Sequence, residues 1–489
     1  MKKRWGLMKN NKLVILLFLL ILGLALVLRL YKINIPLADH HSWRQADTAA
    51  VARNFIKEGF DFFHPRIDNM SPLNPGIINQ ERYFFVEPPL YQTIVAGFYQ
   101  VFGIKESLAR LVSILFSLGA IAFLFLLVSR MVNRWVGLLS AFFMAVLPYS
   151  IFYSRVIMPE MMMVFACLGM FWFFQGWLEN QKQSWYLAAI IFTAWALLMK
   201  VFPLFLVFPM IFLVWQKYRW DFYKQKKLWL LLILAVLPIL AWRFWIARFP
   251  DGIPTNIWLL NESEIRFRPA FFRWLFAERI GKLILGYWGI FLFALGLVVK
   301  IGKKEGWFFH WFLFSFLVYI SVFAFGNITH DYYQVPFIPI AAFFLAKGVW
   351  FLVTTSRQIL NRFFTWLVLA VCLLFMIGFS WFEVEGFYLI QGGVDIAGRA
   401  VDELSNKDAL VLTGDSDDAT LLYNTNRHGW TGGYASYFPN SSENIEKFRQ
   451  MGATVYVTTK FEPKSDFGQY LLDNYQVLKQ TDQYAIFSL

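Results

Sequence analysis

Five stretches of the chain carry side chains that could do chemistry. The first, Asp39-His40-His41-Ser42-Trp43-Arg44-Gln45-Ala46-Asp47, crowds two carboxylates, two imidazoles and a guanidinium together. Next come Phe85-Val86-Glu87-Pro88-Pro89-Leu90-Tyr91 and, soon after, Arg110. A turn with Arg155 and Glu160 follows, then Lys200 within the apolar Leu198-Met199-Lys200-Val201-Phe202. The last is Asn327-Ile328-Thr329-His330-Asp331-Tyr332-Tyr333-Gln334-Val335-Pro336. Arg44, Arg110, Arg155 and Lys200 can neutralise a phosphate, arginine in bidentate fashion. Asp47, Asp39 or Glu87 can act as general base on a hydroxyl. His41, Glu160, His330, Asp331, Tyr332 and Tyr333 are candidate substrate contacts. Asp39, His41 and Glu87 offer ligands for a divalent metal, although their spacing matches no specific signature. Together these groups suit transfer from a phosphorylated donor, where cations stabilise the charge growing on the departing phosphate.

The elements that position them are membrane helices. Of 489 residues, 58% are hydrophobic and only 16% charged, against about 45–50% and 25% in soluble domains. Apolar runs long enough to cross a bilayer recur along most of the chain. The first, Leu13 to Leu30, follows Met1-Lys2-Lys3-Arg4 and lacks a small-residue cleavage site, so it is expected to be a retained helix. Eleven spans are expected, near 13–30, 112–129, 135–152, 161–178, 185–199, 202–215, 228–246, 283–299, 307–325, 334–353 and 363–382. With the N-terminus cytoplasmic, the inner segments hold 18 Lys or Arg against Glu179, Asp221 and Glu305, whereas outer segment 31–111 carries eight bases and eight acids. That is the asymmetry of the positive-inside rule. The formal net charge of +13 therefore speaks for membrane orientation, not for a nucleic-acid partner. Pro88 to Gly103 is expected to lie along the interface, because counting it as a span would destroy the bias. All five chemical stretches then fall on the outer face, where ionisable groups are functional candidates. Cys167 and Cys372 sit in expected spans and make no disulfide framework or metal site.

After the last span the composition changes. Residues 394–489 hold 13 acids and eight bases, so a small extracytoplasmic α/β domain is expected there. Its strands are expected at 409–413, 453–459 and 483–489, its helices at 442–451 and 466–475. Asp415, Asp417 and Asp418 follow the first strand. The expected fold class is thus an α-helical polytopic membrane protein with two domains, 1–385 including the outer loop 31–111, and 394–489.

At these residues the chain resembles the C-type glycosyltransferase superfamily, in particular bacterial relatives of protein O-mannosyltransferases and of the lipid A aminoarabinose transferase. The resemblance is carried by His41 to Phe55 with Ala52-Arg53, by Glu87-Pro88-Pro89-Leu90, by Arg110, by Arg155 with Glu160, by Lys200 and by His330 to Pro336. Where those families have an Asp-Glu pair, this chain has Arg44-Gln45. The acidic function then falls to Asp47, about one turn later, or to Asp39. The resemblance implies an undecaprenyl-phosphate-type monosaccharide donor at a bacterial plasma membrane and an acceptor that is a protein, a lipid-linked glycan or a cell-wall polymer. A divalent metal is possible. Transfer of a whole glycan from a lipid pyrophosphate is one rival reading. A transporter is the other, but no internal repeat is visible and the charges cluster at one boundary rather than the midplane.

Overall fold

The computed structural model describes residues 11–73, 78–355, 361–433 and 438–489. They form two compact units.

The first unit comprises residues up to Ile33, Ser113–Arg243 and Asn256–Gly386, and it is a helical membrane domain. Each of the eleven expected spans overlaps helical backbone, with a break at Leu147 in the third and at residues 285–288 in the eighth. Among the described residues six helices are long and apolar enough to cross a bilayer. Pro269–Ile284 and Gly289–Val298 make a seventh if taken as one span, broken by 109°. Arg134–Val146, Gln183–Met199 and Phe308–Val322 are shorter apolar helices. The expected span at 202–215 divides into a 3₁₀ turn, Phe202–Leu206, and the helix Val207–Tyr218.

Some of these breaks have a local cause. Arg134–Val146 ends because Leu147 precedes Pro148 and is pushed to an extended backbone, φ −60° and ψ 121°. Pro148 then opens the short helix Pro148–Tyr153, a position that wastes no backbone donor. The carbonyls left over at the end of Arg134–Val146 are taken by Arg29, whose guanidinium donates to Ala145 O (2.9 Å) and Met144 O (3.0 Å). Further along, Gly296 and Gly348 let two helices touch backbone to backbone. A Cβ on Gly296 would lie 1.9 Å from Phe344 O, and one on Gly348 would lie 2.1 Å from Leu292 O. Close approach through small residues is how helices associate in lipid.

The second unit comprises Asn34–Val112, Phe244–Thr255 and Phe387–Leu489. The domain expected at 394–489 is built on a five-stranded sheet of order β2-β1-β3-β5-β4, with β1 Leu410–Thr413, β2 His428–Thr431, β3 Ala453–Thr458, β4 Gln476–Gln480 and β5 Ala485–Ser488. β1 pairs parallel with β2 and β3, while β5 runs antiparallel to β3 and β4. The outer segment, grouped by the sequence with the membrane helices, packs here instead. Ala38 joins the core of Val411, Leu422 and Val455. Residues 68–70 pair with the open edge of β2, through Gly429 N to Asp68 O (3.2 Å) and Met70 N to Gly429 O (2.7 Å). That covers an edge that would otherwise expose unpaired backbone groups. The apolar stretch 88–103 becomes the helix Leu90–Phe102, whose 13 residues extend only about 20 Å, too short to span.

Candidate functional site

In the sheet-bearing unit, the helix Ser42–Lys57 carries the acidic motif. Its Ala-rich face buries Ala46, Ala49, Ala50 and Ala52. Arg53, just after that run, pairs with buried Asp68 and donates to Tyr423 O (3.0 Å). Burial alone would raise the Asp68 carboxyl, but Arg53, with His428 and Asn54, holds it at about 2. The helix is thereby pinned against the sheet domain by a buried ion pair.

Asp47 sits partly exposed on this helix and lines a cleft of about 480 Å³. The other walls are Trp43 from the same helix, Asn69 to Leu73, the loop Ser416 to Ala419 after β1, and Thr431 at the end of β2. Asp47 makes no hydrogen bond among the described residues, and burial pushes its carboxyl up from 3.8 to about 7. Arg44 opposes the rise, while Asp418 and Asp68 add to it. Asp418 is itself raised by burial, although Thr420 N donates to it at 2.7 Å. A carboxyl poised near neutrality on the wall of a ligand-sized cleft is what a general base requires.

The remaining candidates in this unit are engaged otherwise. Arg44 is buried in an ion pair with Glu87 at 2.6 Å, so its charge already has a carboxylate. Gln45 donates to Asp39 Oδ1 (2.8 Å) and to His40 O (3.0 Å). Arg110 is buried and donates to the carbonyls of Ile35 and Pro36. His41 takes a left-handed backbone, φ 54°, at the start of the helix, and His40 stacks on Phe387 with ring centres 3.9 Å apart. Of the three candidate metal ligands, Asp39 accepts from Gln45 and Glu87 pairs with Arg44, and among the described residues the ligand atoms of Asp39, His41 and Glu87 are not all within 4.8 Å of one another.

In the membrane unit a second polar group assembles. Glu160 opens the helix Glu160–Asn180, and Lys200 closes the next, Gln183–Met199. A short turn joins them, so the start of one meets the end of the other, and Lys200 Nζ lies 3.0 Å from Glu160 Oε1. Both charges also suit their helix ends. Arg155, a possible partner of Glu160 by sequence, instead donates to Lys32 O at 3.2 Å and is fully buried. Asp331 accepts from the Tyr153 hydroxyl, its carbonyl from Tyr149 (2.5 Å), and Arg279 lies 3.4 Å away. Tyr332 places its ring 6.0 Å from Lys200 Nζ, and His330 stacks on Tyr332 at 5.3 Å. Tyr333 lies beside Tyr332, ring centres 4.6 Å apart and planes tilted by 41°. The sequence reading missed Arg279, Tyr149 and Tyr153. Arg279 falls just ahead of the span expected at 283–299, among several charged neighbours, while Tyr149 falls inside the span expected at 135–152 and Tyr153 one residue past its end.

Residues 86–245 match the family described as dolichyl-phosphate-mannose-protein mannosyltransferase. Over nearly the whole chain the structure is similar to ArnT from Cupriavidus metallidurans bound to undecaprenyl phosphate, with a TM-score of 0.68 at 13% identity, covering 96% of this chain and 97% of that one. It is also similar to the archaeal oligosaccharyltransferase AglB from Archaeoglobus fulgidus in complex with an inhibitory peptide and a dolichol-phosphate. There the TM-score is 0.56 at 12% identity, covering 90% of this chain and 69% of that one. No curated protein matches the chain in sequence. The protein is thus a multi-pass membrane protein of glycosyltransferase fold.

Proposed function

We propose that the protein is a glycosyltransferase that moves a monosaccharide from a polyprenyl-phosphate donor to an acceptor hydroxyl at the extracytoplasmic face of a bacterial plasma membrane. The observation that carries this is Asp47, a carboxyl raised to about 7 on the wall of a cleft. As base it takes the acceptor proton as the anomeric carbon leaves the donor phosphate. Separately, in the membrane unit, Lys200 keeps some exposure beside buried Glu160, which suits it to hold a lipid phosphate there, whereas Arg44, Arg110 and Arg155 are buried on carboxylate or carbonyl oxygens. The match of residues 86–245 to a mannosyltransferase family, and a similar structure bound to undecaprenyl phosphate, support a donor of this class. The positive inner loops support a cytoplasmic N-terminus. The test uses the purified chain in lipid with a radiolabelled polyprenyl-phosphate sugar, following release of polyprenyl phosphate. Asp47→Asn is expected to slow transfer by about 10²- to 10⁴-fold. Near-normal transfer by this variant refutes the base assignment.

A further inference from the structure

The walls of the Asp47 cleft, as far as described, include three aspartates and no Lys, Arg or His. Asp417 and Asp418 come from the loop after β1. Asp415, in the same loop, does not line the cleft. It is locked by the hydroxyls of Thr458 (2.7 Å) and Thr459 (2.6 Å) and by Thr459 N (2.7 Å). The loop thus spends one acid on the end of β3 and sends two to the cleft. Beside them stand the indole of Trp43 and the neutral hydrogen-bonding side chains of Asn69, Ser71 and Thr431.

We propose that this cleft binds the acceptor and that the acceptor is a phosphate-free carbohydrate, anionic acceptors being excluded. The inference rests on the glycosyl-transfer reading and specifies its acceptor. Carboxylates, amides and hydroxyls set around an aromatic face are the groups that hold a sugar. The acids accept from its hydroxyls, the amide and hydroxyls serve both ways, and the indole covers its C–H face. A volume of about 480 Å³ suits a short saccharide. An acceptor bearing phosphate meets two or three like charges with no cation among the described walls of the cleft, Arg44 near Asp47 being already paired with Glu87, and this repulsion works as selection against it. In the reaction the acceptor oxygen bonds to the anomeric carbon while the bond from that carbon to the donor phosphate breaks. The bonding electron pair leaves with polyprenyl phosphate, and the acceptor proton passes to Asp47 and then to water.

The test compares three acceptors in lipid-reconstituted full-length protein with one radiolabelled polyprenyl-phosphate sugar: a neutral disaccharide, its phosphorylated counterpart and a short Ser/Thr peptide. The expected result is transfer to the neutral disaccharide at least about tenfold faster than to the phosphorylated one, a ratio that narrows at high ionic strength and in Asp417→Asn. The wild-type ratio needs no variant, so a folding defect in Asp417→Asn leaves the test intact. Equal or preferred use of the phosphorylated sugar, or transfer to the peptide alone, overturns the inference while leaving glycosyl transfer standing. Absence of any donor consumption, by acceptors or by water, overturns the glycosyl-transfer reading and this inference with it.

Discussion

Replacing Asp47 with Asn should remove activity and at the same time stabilise the protein. The Asp47 carboxyl is raised from 3.8 to about 7, so the fold disfavours its charged form. At pH 3 the carboxyl is protonated in both states and costs nothing. As pH rises past 4 the unfolded chain ionises while the folded protein does not, and stability is lost steadily until pH 7. Above that the loss is constant. About three pH units at about 1.4 kcal/mol each set a ceiling of about 4 kcal/mol. Because Asp47 is partly exposed, solvent screening reduces this to roughly 1–2 kcal/mol. Asn is nearly isosteric and carries no charge, so Asp47→Asn recovers that amount at pH 8 and much less at pH 5. Thermal unfolding of both proteins in the same detergent, measured from pH 5 to 8, checks this. A variant no more stable than wild type at pH 8, or one whose advantage does not grow with pH, refutes the account of Asp47 as a base strained by burial. A stabilising substitution that abolishes activity is the usual mark of a site kept for function.

Four further outcomes follow from the same geometry. Transfer activity should rise with pH through about 7 as Asp47 deprotonates, and Asp418→Asn should move that rise to lower pH by removing a charge that raises Asp47; a pH–rate profile reads both. Lys200→Met should destabilise by about 1–3 kcal/mol by leaving Glu160 buried without its cation. Adding Glu160→Gln should restore thermal stability but not transfer. His428 is raised above its ordinary value by Asp68 and Glu58 against the effect of burial, so it stabilises the fold fully below about pH 6.5 and progressively less as pH passes its folded value. His428→Gln should therefore flatten the loss of unfolding temperature between pH 6 and 8. Gly296→Val should abolish the monodisperse protein in size-exclusion chromatography because its Cβ meets Phe344 O, whereas Gly378→Ala, with open space around it, should not.

Fold class and candidate residues were legible in the sequence for different reasons. Membrane helices declare themselves because lipid demands long apolar runs with internally satisfied backbones, and every expected span overlaps helical backbone. The strands at 410–413, 453–458 and 485–488 were legible because β-branched and aromatic residues cluster there. His428–Thr431 and Gln476–Gln480 were not, since their few strand-favouring residues are flanked by His, Gly, Lys and Gln, and they pair along β1 and β5. Asp47 was visible as an acid on an Ala-rich helix.

What tertiary structure alone decided was the partner of each charge. Arg44, Arg110 and Arg155 look alike in sequence as phosphate ligands, yet one is paired with Glu87 and the others donate to backbone carbonyls. Asp39 and Asp47 look alike as bases, yet Gln45 donates to the first, and the second has only burial and neighbouring charge. A side chain's partners come from residues distant in the chain, Glu87 for Arg44 and Asp418 for Asp47, so spacing can nominate a group. The dielectric and hydrogen bonding of the folded surroundings set its pKa and its role.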